Sequence, residues 1–369
     1  MSLVYRPSRV RPRRSDSGLR LPHPQRAATI ALALFLAGCA SVSPDGGERD
    51  VQALVARNPI VGDAAPRRAP DDASRQAIDA LLAQPLDAQA AVRIALAHGP
   101  RMQEAFATLQ LSDADRAQAA SLPNPVFAFG RLREGRELEL DRALSFNVLG
   151  LLTLPWQARW AGQRHEVAKL QAAQSVLQLA ADTRRAWVRA VAAQQAVVYL
   201  RDAQAAAEAG ADLAQRMAQV GNWSALQRTR EQLLLADASA QLARAEQNAL
   251  ASREQLTRLM GLTSAQSAYR LPDRLPPLPV STPTLTDVQA SALRDRLDVR
   301  AAQAQASATA DSLGLTQATR FVDAMEIGAV RNTTFSNDAD GGRSTQRGVE
   351  LALPIPLFDW GLARNARAE

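Results

Sequence analysis

A proline-free run between residues 157 and 220 constrains the fold more than any other feature of this sequence. Its two glycines, Gly162 and Gly210, lie near the two ends of the run. Within this run, apolar residues recur every seven positions at Leu170, Leu177, Val191 and Val198. Arg184 occupies the one position in this series that is not apolar. This spacing predicts one α-helix of about 64 residues, about 96 Å long, with a coiled-coil seam.

A second, shorter helical run follows a break at residues 221–224. Ser224 is a typical N-cap and Gly261 a typical C-cap, and heptad spacing joins Leu235, Leu242, Ala249 and Leu256. This return arm is about 55 Å long, so it covers only the distal part of the long helix. Residues 87–121, about 52 Å as a helix, are predicted to cover the remainder. The long helix is therefore expected to have two shorter helices end to end beside it and a bare hairpin tip.

Alternating polarity predicts four β-strands, most clearly over residues 137–148. In that segment even positions are mainly apolar and odd positions are mainly polar, so one face requires lipid or a core and the other requires water. Residues 124–134 are its predicted partner, with a turn around Gly135. Later in the chain we predict a weaker strand at 323–331, a polar loop at 332–346 and a strand at 349–355. The alternative, an ordinary two-sheet domain, lacks further strands.

Two copies of one structural plan follow each other along the chain. The pattern Ala95, Leu96, Met102, Ala105 returns about 197 residues later as Ala292, Leu293, Val299, Ala302. Each helix is followed by two strands, a proline (Pro155 or Pro356) and a new helix. The predicted fold class is mixed and mainly α. It combines long antiparallel coiled-coil helices with four β-strands that have the length and alternation of outer-membrane barrel strands.

The net charge of +6 lies in the first 38 residues, which contain seven arginines and one acidic residue. The rest of the chain carries equal numbers of basic and acidic side chains, so the charge gives no support to nucleic-acid binding. Residues 27–38 are an apolar run too short to span a bilayer. A basic flank, a short apolar segment and small residues before Cys39 predict a signal peptide with a basic extension at 1–38.

Cys39 is the only cysteine. Leu36, Ala37, Gly38 and Cys39 resemble the bacterial lipobox, which implies lipidation of Cys39, including palmitate, and sorting to the outer membrane because Ala40 follows. A chance cysteine at the end of an ordinary signal is the alternative. No later segment is apolar over the roughly 18 residues that indicate a transmembrane helix.

Composition and repeats set the expected domain boundaries. Residues 39–85, rich in Pro, Asp, Gly and Arg, are predicted as a lipidated tether with one short helix near residues 73–83. Residues 86–275 form the first repeat and 276–284 a proline-rich link. Residues 285–369 form the second repeat, which is incomplete.

No catalytic or metal-binding pattern is present in the sequence. His23 lies in the leader, and His98 and His165 lie in different predicted helices. His98-Gly99-Pro100 predicts a helix kink or break. The acids of residues 137–141 share one strand face and are interpreted as a wetted face. With no phosphate loop and no nucleophile motif, we predict that the protein is not an enzyme and uses no cofactor or metal.

Tryptophans mark two further candidate sites. At the hairpin tip, Trp223 either caps the two helix ends or contacts a partner, and the tip site comprises Gly221, Asn222, Trp223, Ser224 and Leu226. Three other tryptophans lie at strand-to-helix junctions and suit either a membrane interface or the packing of helix ends; they are Trp156, Trp160 and Trp360.

These features together resemble the TolC-like outer membrane efflux family, particularly its lipoprotein members. They are the lipobox at Cys39, a helix at 88–120 leading into Leu-Pro-Asn-Pro at 122–125, the hairpin with its tip, the link at 271–283 and the closing Leu-Pro-Ile-Pro-Leu-Phe-Asp-Trp-Gly at 353–361. The resemblance implies a homotrimer in which each chain gives four strands to one twelve-stranded transmembrane β-barrel and its helices, as one subunit of an α-barrel, to a periplasmic tunnel.

The implied function is a passive exit duct of a tripartite efflux system. The implied partners are an inner-membrane pump, a periplasmic adaptor at the hairpin tips and outer membrane lipids, with no nucleic acid. The runner-up is a structural or adhesive coiled-coil lipoprotein without a channel. Drugs, organic solutes and metal ions all remain open as substrates.

The last residues raise a separate expectation. Asp359 is a good N-cap, and a helix starts there about ten residues before the chain stops. By comparison with the first repeat, the second should run to about residue 470, so we expect a C-terminally truncated copy that lacks its second hairpin. A non-functional truncated efflux protein is therefore another alternative.

Overall fold

The computed structural model describes residues 41–68, 72–278, 280, 288–318, 325–336 and 342–355. The predicted signal peptide, Cys39, Pro356 and Trp360 lie outside these residues. The helices are α1 (Glu48–Val55), α2 (Asp72–Leu82), α3 (Ala88–His98), α4 (Pro100–Ala119), α5 (Val148–Gln219), α6 (Ala225–Met260), α7 (Val288–Asp295) and α8 (Leu297–Ala318). The strands are β1 (Val126–Glu134), β2 (Glu137–Asn147), β3 (Glu326–Ser336) and β4 (Arg343–Ala352).

Helix α5 is the long helix expected from the sequence, and it begins earlier than predicted. It has 72 residues, which gives a length of about 108 Å. Asn147 caps its start, because the side chain accepts a hydrogen bond of 2.8 Å from Gly150 N. Pro155 therefore lies inside the helix instead of before it. The proline removes one backbone hydrogen bond, and the cap and the long ladder that follows sustain the helix across it.

The return arm and its caps agree with the sequence analysis. Ser224 caps α6 in a capping box with Gln227, and Gly261 ends the helix with φ of 71°. The first helical pair breaks at Gly99, with Pro100 as the first residue of α4. Gly261 lies against this break, close to His98 O. The two shorter helical arms thus meet end to end beside α5, as predicted.

The contact at Gly261 yields a stability prediction. A Cβ added there would lie 2.8 Å from His98 O and 2.9 Å from Pro100 Cδ, and the positive φ disfavours any other residue. We expect Gly261→Ala to lower the free energy of unfolding by more than about 1 kcal/mol. Chemical denaturation followed by circular dichroism measures this.

The matched control is Gly162→Ala in α5, where an added Cβ would meet nothing within 4 Å. That substitution should raise stability by up to about 1 kcal/mol, because alanine favours helix. An equal response of the two variants would contradict the assigned contact between the helix ends.

Residues 41–68, interpreted from the sequence as part of a tether, are folded onto the helices. Val51, Val55 and Val61 are buried and belong to the main hydrophobic core. Asp50 pairs with Lys169 of α5 at 3.1 Å. Composition gave no sign of this packing, since three valines in a polar segment have too little periodicity to indicate a buried face. The short helix predicted near residues 73–83 is present as α2.

The core lies where α1, α3, the middle of α5 and the end of α6 meet. Leu86 is fully buried at this point, and its N–H donates to Arg270 O over 2.8 Å. Its carbonyl accepts a 2.7 Å hydrogen bond from Trp187 Nε1 of α5. Leu86, at the start of the first predicted repeat, therefore connects Arg270 near its end with Trp187 of the long helix.

The four strands form one antiparallel sheet in the order β1-β2-β3-β4. Strands β1 and β2 have nearly the predicted bounds. Strand β3 extends to Ser336 and β4 begins at Arg343, so the predicted loop at 332–346 is wrong for most of its length. The cause is pairing, because β2 offers backbone partners to β3 along its whole length and polar residues such as Asn332 and Thr333 are drawn into the ladder.

The repeat is visible in the helices. The first copy breaks between α3 and α4 at Gly99, and the second breaks between α7 and α8 at Arg296, about 197 residues later. In both copies the second helix leads to a pair of strands, and both α4 and α8 pack on α5.

Candidate functional site

The sheet sorts its side chains onto two faces of different chemistry. Residues paired directly across antiparallel strands point to the same side. One side, here called the aromatic face, takes the even positions of β2 and the odd positions of the other strands. Its apolar members next to the helices are Phe127, Phe129, Leu144, Phe146, Ile327, Ala329, Val349 and Leu351. Several are strongly exposed, Phe127 by 65% and Val349 by 81%.

The opposite side, here called the acidic face, carries every carboxylate of the four strands. These are Glu134, Glu137, Glu139, Asp141, Glu326 and Glu350. Between them lie small residues such as Ala128, Gly130 and Gly348. Asp141 and Asn332 stand opposite each other, and each has a buried side-chain oxygen without a hydrogen-bond partner among the described residues. This face suits contact with water and with cations.

The period-two split predicted for residues 137–148 is thus present, and the register extends it to four strands. Sequence reasoning found the acids of β2 but missed Glu326 and Glu350, because assigning them to this face requires the pairing of β3 and β4. The outer edges of β1 and β4 have no strand partner in the described part of the chain. A sheet with two open edges and an exposed aromatic face is a surface for assembly.

The two described junction tryptophans lie in different surroundings. Trp156 is 59% exposed near the start of α5, beside the exposed Leu152. Trp160 is half-buried, with the Arg164 guanidinium 4.2 Å from its ring centroid. The membrane-interface role stays a prediction for both residues, and Trp160 also packs within the chain.

The hairpin tip is a tightly bonded turn with an apolar surface. Gly221 has φ of 79°, and the N–H groups of Asn222 and Trp223 donate to Met217 O at 2.9 and 3.3 Å. Trp223 is half-buried at the turn. Leu226 is 61% exposed next to it. The tip is well ordered by its own hydrogen bonds and still exposes apolar area to a partner.

A buried polar cluster joins α4, α5 and residue 43. The Asp113 side chain is fully buried and accepts hydrogen bonds from Ser43 N at 2.6 Å and from Arg116 Nε and Nη2 at 2.9 and 2.7 Å. His165 Nε2 lies 3.8 Å from the same carboxylate. The sequence gave no signal for this cluster, since its members are far apart along the chain.

Charge states in this cluster follow from burial and bonding. Burial acts to raise the pKa of Asp113, but the hydrogen bonds from Ser43 and Arg116 and the nearby positive charges outweigh it and lower that pKa. Burial lowers the pKa of His165 by more than the Asp113 carboxylate raises it. A neutral imidazole therefore stands beside an ionised carboxylate at neutral pH, and the cluster fixes residue 43 against the helices.

The described residues show neither a metal-binding cluster nor a helix suited to a bilayer. No group of three or more His, Cys, Asp or Glu side chains could hold a metal ion there. None of the described helices combines the length and apolarity that crossing a membrane requires.

Comparison with known proteins identifies the fold. A membrane protein from Pseudomonas aeruginosa superposes with a TM-score of 0.61 at 18% identity, over 76% of this chain and 70% of that one. The CmeC outer membrane channel of Campylobacter jejuni gives 0.60 at 13% identity, over 84% and 70%. The open state of the MtrE outer membrane channel of Neisseria gonorrhoeae gives 0.56 at 16% identity, over 76% and 66%. The sequence matches none of the family models and none of the curated proteins with which it was compared.

Proposed function

Because this chain has the fold of TolC-like outer membrane channels, which are not enzymes, we propose that it is the outer membrane channel of a tripartite efflux system. The observation that carries the proposal is the exposed aromatic face of a four-stranded sheet with two open edges, set at one end of a helix about 108 Å long. The sheet lies in the outer membrane, and the helices extend into the periplasm. The channel is a passive duct, and an inner-membrane pump supplies the energy.

In a homotrimer, the open edges of β1 and β4 find strand partners in neighbouring copies. In lipid, each unpaired backbone group costs several kcal/mol, so a four-stranded sheet cannot remain open there. The smallest transmembrane barrels have eight strands. Three copies joined edge to edge, β4 to β1, give twelve strands and leave no free edge. The aromatic face then points to lipid and the acidic face lines the pore.

The second candidate is a structural coiled-coil lipoprotein without a channel, favoured by the long helix and its tip. It gives no role to the separation of aromatic and acidic side chains on the sheet. A rod needs no face for lipid and no face for water.

Reconstitution separates the two candidates. The full-length protein, folded in detergent and added to a planar phosphatidylcholine bilayer, should form a detergent-stable trimer and give stepwise conductance. A chain without the second hairpin should not form a sealed trimer. The acidic lining predicts preference for cations over anions, because fixed negative charge concentrates counter-ions. A monomeric protein, or a trimer without conductance, would favour the structural candidate.

We also propose that Cys39 is lipidated and that residues preceding it are removed. Labelled palmitate should enter the wild-type protein and be absent from Cys39→Ser. Trimer formation should persist in the variant, since a lipid anchor adds to strand insertion without replacing it. Label in the variant at the wild-type level would overturn the lipobox interpretation.

The hairpin tip is the proposed docking site for the periplasmic adaptor. Trp223→Asp and Leu226→Asp should each weaken adaptor binding by about tenfold or more, since each introduces charge into a contact that would be apolar. Leu250→Asp is the matched control, because Leu250 is 62% exposed on the same helix and lies about 36 Å from Leu226. Co-purification with the adaptor gives the measurement, and loss of the trimer would show that the tip is structural instead.

A further inference from the structure

The arginines of the sheet are segregated as completely as the acids. Six arginines lie on the strands, and all six are on the aromatic face: Arg131, Arg133, Arg142, Arg331, Arg343 and Arg347. No carboxylate of the four strands shares that face with them. Random placement of charges for solubility would mix the two signs on both faces.

The arginines occupy the aromatic face from the middle of the strands to the turn end. Arg142, Arg331 and Arg347 stand side by side in one row across three strands. Arg131 lies one row further from the helices, and Arg133 and Arg343 lie in the row after that, near the turn at Gly135. The two rows on the helix side of Arg142 contain only apolar residues. Rows on one face are about 7 Å apart. Arginines therefore appear one step beyond the apolar rows, with Phe129, Leu140 and Phe335 among them.

Other side chains do little to compensate these charges. Five of the six arginines are exposed, and Arg142 is half-buried with a single hydrogen bond, from Nη2 to Thr333 Oγ1 at 3.3 Å. The buried Nε of Arg142 has no partner in the described part of the chain. Arg343 lies over the Phe335 ring at 5.6 Å. None of the six pairs with a carboxylate among the described residues, and adjacent like charges repel across strands.

From this arrangement we infer that the arginine rows bind the phosphorylated headgroups of outer-leaflet lipids. Guanidinium groups bind phosphate with two parallel hydrogen bonds, which suits a row of three on neighbouring strands. The apolar rows lie against the acyl chains of the same lipids. The strand half next to the helices is apolar, and the half from the middle to the turns carries the arginines. In the proposed orientation the arginines therefore lie in the outer-leaflet half of the sheet. The inference rests on the proposed function, which places this face in the outer membrane.

A lipid-binding measurement tests the inference. The row variant carries Arg142→Gln, Arg331→Gln and Arg347→Gln, and the matched control carries Glu137→Gln, Glu139→Gln and Glu350→Gln on the acidic face. Wild-type trimers in detergent, titrated with diphosphoryl lipid A or with phosphatidylcholine and analysed by native mass spectrometry, should bind lipid A preferentially. The row variant should bind lipid A at least about tenfold more weakly, whereas the control should bind like the wild type.

Further measurements identify the ligand and guard against misfolding. Replacing the same three arginines by lysine keeps the charge and removes the bidentate geometry, so binding should be intermediate. Lipid A without its phosphates should bind all variants alike. Excess inorganic phosphate should not displace bound lipid A from the wild type. Displacement would mean that the site serves free anions and would overturn the lipid assignment.

The outcomes separate this inference from the proposed function. Equal lipid A binding by the wild type and the row variant would overturn the inference, and conductance of the wild type in pure phosphatidylcholine would still support the channel. If the row variant instead changed anion permeation, the arginines would face the pore and the inference would be wrong. Absence of conductance from every protein would count against the proposed function itself.

Discussion

In the proposed channel, arginine at position 351 is expected to reduce insertion of the protein into the outer membrane. Leu351 is 58% exposed on the aromatic face and lies two rows from Arg347, about 13 Å towards the helices. A lipid-facing arginine costs about 2–4 kcal/mol at the middle of the bilayer and about 0–1 kcal/mol near an interface. Leu351 lies in the row next to the helices, so its cost falls between these limits, and a trimer would carry three such arginines. Long side chains can reach towards a headgroup, but two rows are too far for full relief.

The neighbouring position provides a matched control for Leu351→Arg. Ala352 is also exposed, lies in the same strand and belongs to the acidic face, where it pairs with Glu326. Ala352→Arg should insert like the wild type, because in the proposed channel its side chain reaches water in the pore. The measurement is the fraction of trimer recovered in the outer membrane, with conductance as a second readout. Equal loss for both variants would mean that strand β4, and not its lipid face, is sensitive to charge.

Alanine at position 187 is expected to produce the largest loss of stability among single substitutions in the helical part. Trp187 is only 3% exposed in the core, and its Nε1 donates a 2.7 Å hydrogen bond to Leu86 O. Removing the indole leaves a cavity and a buried carbonyl without a partner. Trp187→Ala should therefore lower the free energy of unfolding by about 3–5 kcal/mol.

Trp187→Phe separates the contribution of packing from that of the hydrogen bond to Leu86 O. Phenylalanine fills most of the volume and lacks the N–H, so the loss should fall to about 1–2 kcal/mol. Denaturant unfolding followed by far-ultraviolet circular dichroism gives both values. If the two variants were equally destabilised, loss of the hydrogen bond to Leu86 would account for the whole effect, and packing of the indole would contribute nothing measurable.

Features encoded by residues close together in the chain were predictable from the sequence. Helix α5, the cap at Ser224, the end of α6 at Gly261 and the break at Gly99 each depend on a few neighbouring residues. Heptad and period-two spacing then give the length of the elements and the face that must be buried. The sequence predicts too late a start for α5, because Pro155 is typical of a helix boundary, whereas Asn147 supplies a cap upstream.

Features that depend on partners distant in sequence were decided only by the tertiary structure. Valines in residues 41–68 are buried because α5 offers them a surface, and Asp113 meets Ser43 and His165 only after the helices pack. The polar ends of β3 and β4 form strands because β2 pairs with β3 and β3 with β4. Register then collects the six arginines on one face and the six carboxylates on the other. The sequence determined which side chains alternate within each strand. Only the pairing between strands decided which side chains of different strands share a face, because a register shift of one residue moves every side chain of a strand to the opposite face.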